Sequence, residues 1–296
     1  REKHAAKIMG RDDRKYGDHS GNRVLCRFYN HGSIGDQSSS FSGVYPIGSG
    51  HSYIWEFSPV VAASVVDTNG FRRHIVSDGI SGLVDASPEG TPWSFEPLSG
   101  YSNPNQENLA MSDNENSWPN SWPNRTEDWN GEWNGQYGKY VRADQESYFV
   151  VDDRYNSEFE FWPDQNDIPE DPTVSPDEHR RGLGIEMEAR GYQWNHPAAE
   201  DIIIVTYWIT NVGSSVLDSV VFGMYGDADI GGASSFSDDD AWFDTENDMV
   251  YQWDHDNWSS SYGGFRPAYL GWSFLESPGN LSVSYTHLTL PTTTLV

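Results

Sequence analysis

The clearest structural signal in the chain is a regular alternation of apolar and polar positions in "LGIEMEARGYQW". Every second residue from Leu183 to Ala189 is apolar, and glycine or glutamate fills the positions between them. Successive side chains of a β-strand point to opposite faces of the sheet, whereas a helix repeats every 3.6 residues. The pattern therefore predicts a β-strand with one buried face and one polar face.

The segments that follow predict further strands. "DIIIVTYWIT" is apolar on both faces, which is typical of a central strand that is covered on each side. "VLDSVVFGMYGDAD", "DMVYQWD" and "AYLGWSFLES" extend the series, and the turns between them are too short for crossover helices. No long segment keeps a helical period, so the pattern predicts an all-β fold. We expect an antiparallel β-sandwich with long loops rich in Trp, Asn and Gly.

An earlier hairpin is predicted around "DTNG", which lies between residues 60–66 and residues 71–77. Asn69 and Gly70 are favoured at the two central positions of a type I′ turn, where both residues need a positive φ. The sequence therefore predicts two antiparallel strands joined by a turn of this type.

The chain divides into four regions. Residues 283–292, "VSYTHLTLPT", are identical to a translated frame of the adapter used in transposase-based sequencing libraries, so we expect the tail not to be native. The chain begins with Arg1 rather than Met, which favours an interior fragment of a longer protein. We expect residues 1–40 to form an irregular N-terminal segment or linker, and residues 41–182 a β/loop region packed on the sandwich. Residues 183–282 are the truncated sandwich core, and residues 283–296 are the adapter-derived tail.

Composition and charge narrow the partners. The chain has 296 residues, 14% of them aromatic, and a formal net charge of −27 at pH 7. Such a surface repels phosphate backbones but attracts divalent cations, so we expect no nucleic-acid partner. We also expect no membrane span, because no apolar stretch approaches the roughly 20 residues that a span requires. Cys26 is the single cysteine, which excludes an intramolecular disulfide.

The candidate metal site is "DADIGGASSFSDDDAWFD". If Asp227 is the first position of a calcium loop, Asp229 is the third and Asp238 the twelfth, which copies part of the EF-hand spacing. The flanks are strands rather than helices, so the match is EF-like and not an EF-hand. We expect Asp227, Asp229 and Asp238, with Asp240 or Asp244, to bind one structural Ca²⁺ ion. The alternative is a solvated acidic loop that Gly and Ser keep open.

A tryptophan-rich stretch, "SWPNSWPNRTEDWNGEWNGQYGKY", is the candidate glycan-binding site. It contains Trp118, Trp122, Trp129 and Trp133, each close to Asn, Gly or Pro. Indole faces flanked by polar residues can hold sugar rings, because the rings stack and the neighbours bind hydroxyl groups. The alternative, which we favour, is that a long loop anchors itself by burying these indoles against the sheet.

Candidate catalytic carboxylates are densest in "ADQESYFVVDDRYN", which holds Asp144, Glu146, Asp152 and Asp153. With so many acidic residues, pairs at the separations used by glycosidases occur by chance. Structural hydrogen bonding or a second cation site is the alternative. The motifs of zinc proteases, α/β-hydrolases and nucleotide-binding loops are absent from the sequence. The sequence leaves catalysis open and favours its absence.

The segments "YPIGSGHSYIWEFSPVVAASVVD", "WPNSWPN", "DWNGEWNGQYGK", "RRGLGIEMEARGYQW" and "FGMYGDADIGG" carry a family resemblance. Across residues 43–280 the chain resembles large, uncharacterised secreted β-rich proteins of environmental Gram-negative bacteria that use type IX secretion. The resemblance implies a secreted or cell-surface location, with the signal peptide and the sorting domain outside this fragment. It carries no catalytic residue.

These observations favour a non-catalytic extracellular module, acting as scaffold or adhesion surface within a larger secreted protein and stabilised by calcium. The alternative function is a carbohydrate-binding or carbohydrate-degrading protein that uses the Trp118 to Trp133 stretch. Extracellular polysaccharides and other surface proteins are the expected partners.

Overall fold

The structure, a computed structural model, describes residues 14–35, 42–80, 86–88, 93–170, 178–232, 235–276 and 293–295. These residues form fourteen β-strands and four short 3-10 helices, so the predicted all-β class is confirmed. Among them, no helix combines the length and the apolar character that crossing a bilayer requires.

The strands are distributed along the chain from β1 near the N-terminal end to β14 near the C-terminal end. The first seven are β1 (Tyr16–His19), β2 (Cys26–Tyr29), β3 (Ile54–Val66), β4 (Arg72–Asp78), β5 (Glu96–Pro97), β6 (Ala110–Met111) and β7 (Gln145–Asp152). The others are β8 (Ile185–Gln193), β9 (Ile203–Asn211), β10 (Asp218–Ala228), β11 (Asp239–Asp244), β12 (Met249–Asp254), β13 (Leu270–Phe274) and β14 (Thr293–Leu295). The 3-10 helices are Glu115–Ser117, Glu127–Trp129, Phe236–Asp238 and Ser261–Gly263.

The strands assemble into two main sheets and a small ribbon. The large sheet has the order β11-β12-β13-β14-β9-β8-β7-β5, and β6 also pairs with β7. The second sheet has the order β10-β3-β4, and β1 pairs with β2. All pairings between these strands are antiparallel. The predicted regions 41–182 and 183–282 both contribute strands to each main sheet, because β3 pairs with β10 and β7 pairs with β8.

One hydrophobic core fills the space between the two main sheets. Phe57 on β3, Phe149 on β7, Met187 on β8 and Ile203 on β9 all belong to this cluster and are 0–4% exposed. Packing of two sheets through their inner faces defines a β-sandwich, as the sequence predicted. The alternation along β8 is also confirmed, since Ile185, Met187 and Ala189 all lie in the core.

The prediction that β9 is covered on both faces is wrong. Ile203 and Val205 are buried, whereas Trp208 is 50% exposed on the outer face of the large sheet. Branched and aromatic residues also suit half-exposed strand positions, so an apolar run does not by itself establish that both faces are covered.

The hairpin of β3 and β4 forms as predicted, but its turn is not type I′. Only Gly70 of the predicted pair takes a positive φ, of 80°. The Asp67 carboxylate accepts the N–H groups of Asn69 and Phe71 at 2.9 and 2.8 Å, and Gly70 N–H donates to the Asp67 carbonyl at 2.9 Å. The side chain of Asp67 thus stabilises a longer turn that needs a single left-handed residue.

The two ends of the chain contribute to the sheets. Residues 1–40 are predicted to be irregular, but β1 and β2 within them form a ribbon, and Cys26 and Phe28 on β2 are fully buried in the core. Burial raises the pKa of the Cys26 thiol to about 12. At the other end, the backbone of β14 pairs with β9 and β13. Residues 283–292 of the predicted adapter-derived tail lie outside the described residues.

Candidate metal centre and the tryptophan cluster

Acidic side chains converge where β11 begins and β12 ends. Asp239 and Asp254 are register partners in this antiparallel pair. Asp238 ends the 3-10 helix that leads into β11, and Asp256 lies in the turn after β12. One carboxylate oxygen from each of Asp238, Asp254 and Asp256 can be chosen so that all three lie within 4.8 Å of one another. We call Asp238, Asp254 and Asp256 the acidic triad.

The spacing of the acidic triad matches the coordination sphere of calcium. Calcium binds oxygen ligands at about 2.3–2.6 Å, so two ligands on opposite sides of one ion lie up to about 5 Å apart. Three carboxylate oxygens within 4.8 Å can therefore contact a single ion. All three ligands are oxygens, which favours calcium or magnesium over zinc.

The central member of the triad is fixed by its neighbours. Asp254 is only 2% exposed, and its carboxylate accepts the Ser235 hydroxyl at 2.6 Å and the Trp258 N–H at 2.7 Å. Each carboxylate oxygen has a second lone pair, so these hydrogen bonds orient Asp254 and leave it able to bind a cation.

Asp239 places a further, partly buried carboxyl group beside the triad. One of its oxygens accepts the Ile230 N–H at 2.8 Å. The other is buried, and no hydrogen-bond donor from the described part of the chain reaches it. Burial raises the pKa of Asp239 to about 7, the Ile230 hydrogen bond partly opposes that rise, and the charges of Asp254, Asp229 and Asp238 add to it. An unpartnered buried carboxylate oxygen is costly, and a bound cation would offset that cost.

The structure places the five predicted ligands differently from the sequence hypothesis. Only Asp238 belongs to the acidic triad. Asp229 lies close enough to raise the pKa of Asp239, and its own pKa is raised by burial and then by the charge of Asp227. Asp227 itself lies on β10 and accepts the Tyr225 hydroxyl at 3.3 Å.

Asp240 and Asp244 are not brought to the triad. Asp240 lies 2.6 Å from His255, and Asp244 accepts the Glu246 N–H at 2.8 Å in the turn after β11. The physical reason is that β11 begins at Asp239, so both are strand residues rather than loop residues. Asp244 is five residues along the strand from Asp239, or about 17 Å at 3.3 Å per residue.

Sequence reasoning missed Asp254 and Asp256. They form a D-x-D pair that begins at the last residue of the predicted strand "DMVYQWD". Consecutive strands usually pair, and antiparallel pairing brings the end of the second strand beside the start of the first. That rule could have connected this pair with Asp238 before the structure was known.

The tryptophan-rich stretch forms a second hydrophobic cluster rather than an open site. Trp122 and Trp133 are 3% and 2% exposed and pack with Ala110, Tyr148 and Val150. The partly buried rings of Trp118 and Trp129 pack against the same cluster.

Polar contacts anchor these indoles as well. The N–H groups of Trp118, Trp122 and Trp133 donate to Met111 O, Glu132 O and Glu146 Oε2 at 2.7, 3.0 and 2.7 Å. Arg125 and Lys139 lie 4.4 and 5.4 Å from the ring centroid of Trp129. The geometry matches the anchoring alternative, because the ring faces that a sugar would need are packed against protein.

The four candidate catalytic carboxylates have structural partners. Glu146 accepts the Trp133 indole N–H, and Asp144 accepts the Asn195 N–H at 2.6 Å. Asp152 pairs with Arg180 at 2.7 Å. The carboxylate of Asp153 accepts three groups, namely Leu183 N–H, Ile185 N–H and the Ser77 hydroxyl.

Asp153 also has an unusual protonation equilibrium. Burial, followed by the charge of Asp152, raises the pKa of Asp153 to about 7. Its three hydrogen bonds join the residue after β7 to β4 and to residues 183 and 185 at the start of β8, so the carboxylate has a structural role in the core. A raised pKa at a residue sealed by protein donors reflects a structural network as readily as a catalytic group.

Fold and site together define an antiparallel β-sandwich with an acidic triad at one end of the large sheet. No family model matches the chain, and comparison with curated proteins and with solved structures gives no match.

Proposed function

We propose that the chain is a non-catalytic β-sandwich module of a secreted or cell-surface protein. It acts as a scaffold or adhesion surface and is stabilised by one calcium ion at the acidic triad. The observation that carries the proposal is the convergence of Asp238, Asp254 and Asp256 beside a buried oxygen of Asp239 that no donor among the described residues reaches.

The setting outside the cell fits the chemistry of the site. Calcium sites of extracellular modules work at dissociation constants of roughly 10⁻⁴–10⁻³ M, which calcium concentrations outside cells can satisfy. A triad whose outer members, Asp238 and Asp256, are exposed suits this weak class rather than a high-affinity buffer site. The net charge of −27 argues against nucleic-acid partners, and we propose extracellular polysaccharides or other surface proteins as partners.

Thermal unfolding with chelator and with millimolar calcium tests the proposal. We expect calcium to raise the melting midpoint, because a ligand at a one- to tenfold excess over its dissociation constant stabilises the folded state by about 0.4–1.4 kcal/mol. Asp254→Asn should abolish that rise. Asp244→Asn makes the same change of charge outside the triad and should keep it. An equal response of both variants and the wild type would contradict the calcium site.

A carbohydrate-binding or carbohydrate-degrading role through residues 118–133 is the weaker candidate. Trp122 and Trp133 are buried, and Trp129 lies against Arg125 and Lys139. Sugar stacking there would require this cluster to open.

A further inference from the structure

A separate set of aromatic side chains lies on the large sheet, away from the tryptophan cluster. Trp242 on β11 and Tyr251 on β12 are register partners, and Trp253 follows Tyr251 by two residues. Tyr269 immediately precedes β13 and lies beside both Tyr251 and Trp253. We call Trp242, Tyr251, Trp253 and Tyr269 the aromatic strip.

The aromatic strip lies on the outer face of the sheet. Register partners and residues two apart share a face, so Trp242, Tyr251 and Trp253 point the same way. The alternate residues Leu270 and Trp272 on β13 point to the interior, where Leu270 is buried and the Trp272 ring is 4.8 Å from that of Phe57. The strip therefore faces away from the core.

The rings of the strip are close together and accessible. Trp242 and Tyr269 are each 64% exposed, and Tyr251 and Trp253 are partly buried between them. The ring centroids of Tyr251, Trp253 and Tyr269 lie 5.4–6.1 Å apart, with ring planes inclined by 25–46°. Exposed aromatic side chains clustered on one face of a sheet mark a binding site more often than isolated exposed residues do.

Gly271 keeps the strip continuous. It is the register partner of Tyr251 on β13, so it adds no side chain to this face between Tyr251 and Tyr269. A Cβ atom at position 271 would lie 3.1 Å from the Met249 sulfur, so a larger residue would disturb the same face.

Polar groups border the strip. Asp240 is the register partner of Trp253, and its carboxylate lies 2.6 Å from Nδ1 of His255. Both side chains are exposed, at 44% for Asp240 and 69% for His255. A carboxylate and an imidazole beside open rings can accept and donate hydrogen bonds to hydroxyl groups. The negative charge also disfavours anionic ligands.

We propose that the aromatic strip is a binding platform for a neutral polysaccharide. Its rings stack against the apolar faces of successive sugars, while Asp240 and His255 bind hydroxyl groups at its edge. This inference supplies the ligand class for the proposed adhesion role, on which it rests, but it does not depend on the calcium site. Neutral sugars fit a surface that offers aromatic faces and hydroxyl partners in a strongly acidic chain.

The test is retention of the full chain on insoluble cellulose and chitin and in gels containing soluble xylan, mannan or mixed-linkage β-glucan, with alginate as the polyanionic comparison. We expect retention by at least one neutral polysaccharide and none by alginate. The double variant Trp242→Ala/Tyr269→Ala should weaken retention roughly tenfold or more, since two stacking contacts are lost. Trp208→Ala is the matched control, because it removes an exposed indole from the same sheet outside the strip.

Three outcomes would overturn the proposal. They are an absence of retention on every neutral polysaccharide, an equal loss in Trp208→Ala, and wild-type self-association that the double variant abolishes in sedimentation velocity. The last result would assign the strip to a second copy of the chain. Near-ultraviolet circular dichroism verifies that the double variant is folded, and soluble oligosaccharides of the retained polysaccharide should release the wild type. If no polysaccharide retains the chain but calcium still raises the melting midpoint, only the binding platform is wrong. If a polysaccharide retains the chain but calcium does not raise the midpoint, only the calcium site is wrong.

Discussion

Asp239 and Asp254 are register partners where β11 begins and β12 ends, and Asp238 and Asp256 lie just beyond them at the same end of the strand pair. Two carboxylates in register repel each other, and this pair lies in a chain whose net charge is already −27. Asp254 is nevertheless buried, and one oxygen of Asp239 is buried without a protein donor from the described residues. The calcium ion that we propose at the acidic triad would resolve this conflict.

Removing a buried indole should destabilise the chain strongly. Trp133→Ala creates a cavity in the second hydrophobic cluster and takes away the N–H that Glu146 accepts. We expect a loss of about 3–5 kcal/mol in the free energy of unfolding, measured with urea. Trp208→Ala, at a half-exposed position, should cost less than about 1 kcal/mol. Similar losses in the two variants would show that the tryptophan cluster is not a core.

His19 should make stability fall on acidification. Burial lowers the pKa of His19 to about 3, so it stays neutral in the folded chain while the unfolded chain binds a proton below about pH 6.5. The stability is therefore present above that pH and is lost as the pH falls towards 3, by up to about 1.4 kcal/mol per pH unit. Urea unfolding between about pH 7 and pH 5 measures this slope.

Comparison with variants isolates the contribution of His19. In His19→Gln this component is absent, so the difference in stability between the wild type and the variant should shrink as the pH falls. His255→Gln is the control, because the hydrogen bond to Asp240 raises the pKa of His255 and gives the opposite sign. A difference for His19→Gln that stays constant across the range would exclude the burial effect.

Gly182 should tolerate no side chain. Its φ is +67°, and a Cβ atom there would lie 2.5 Å from the backbone oxygen of Asp153. Gly182→Ala should therefore lower the free energy of unfolding by at least about 1–3 kcal/mol. Gly223→Ala serves as the control, since nothing lies within 4 Å of a Cβ atom at that position and its φ is not left-handed. Equal stability of the two variants would contradict the close approach of Asp153 to Gly182.

The sequence predicts the local structure well where one signal decides it. The alternation along β8 gives its buried face because every second residue contacts the core, and "DTNG" marks the β3–β4 hairpin because Gly70 needs a positive φ. The sequence does not predict burial where that burial depends on whether another element covers the strand. The outer face of β9 has the same apolar composition as a buried face, yet Trp208 is half exposed.

The ligands of the candidate metal centre can be predicted only in part from the sequence, because strand pairing decides which carboxylates meet. Asp238 is identified from its spacing along the chain, whereas Asp254 and Asp256 reach it through the pairing of β11 with β12. Asp244 lies closer to Asp238 in sequence than Asp254 does, but the extended strand carries it away. The exposure of the tryptophans is likewise decided by the fold. Trp133 is buried against β7, whereas Trp242 of the aromatic strip is exposed.

Calorimetric titration of the chelator-treated chain with Ca²⁺ measures binding at the acidic triad directly. We expect saturable binding of one ion per chain, abolished in Asp254→Asn and retained in Asp244→Asn. Mg²⁺ should bind more weakly, because it demands a stricter octahedral geometry than a partly exposed triad supplies. An absence of saturable calcium binding, or binding that survives unchanged in Asp254→Asn, would contradict the acidic triad as a calcium site.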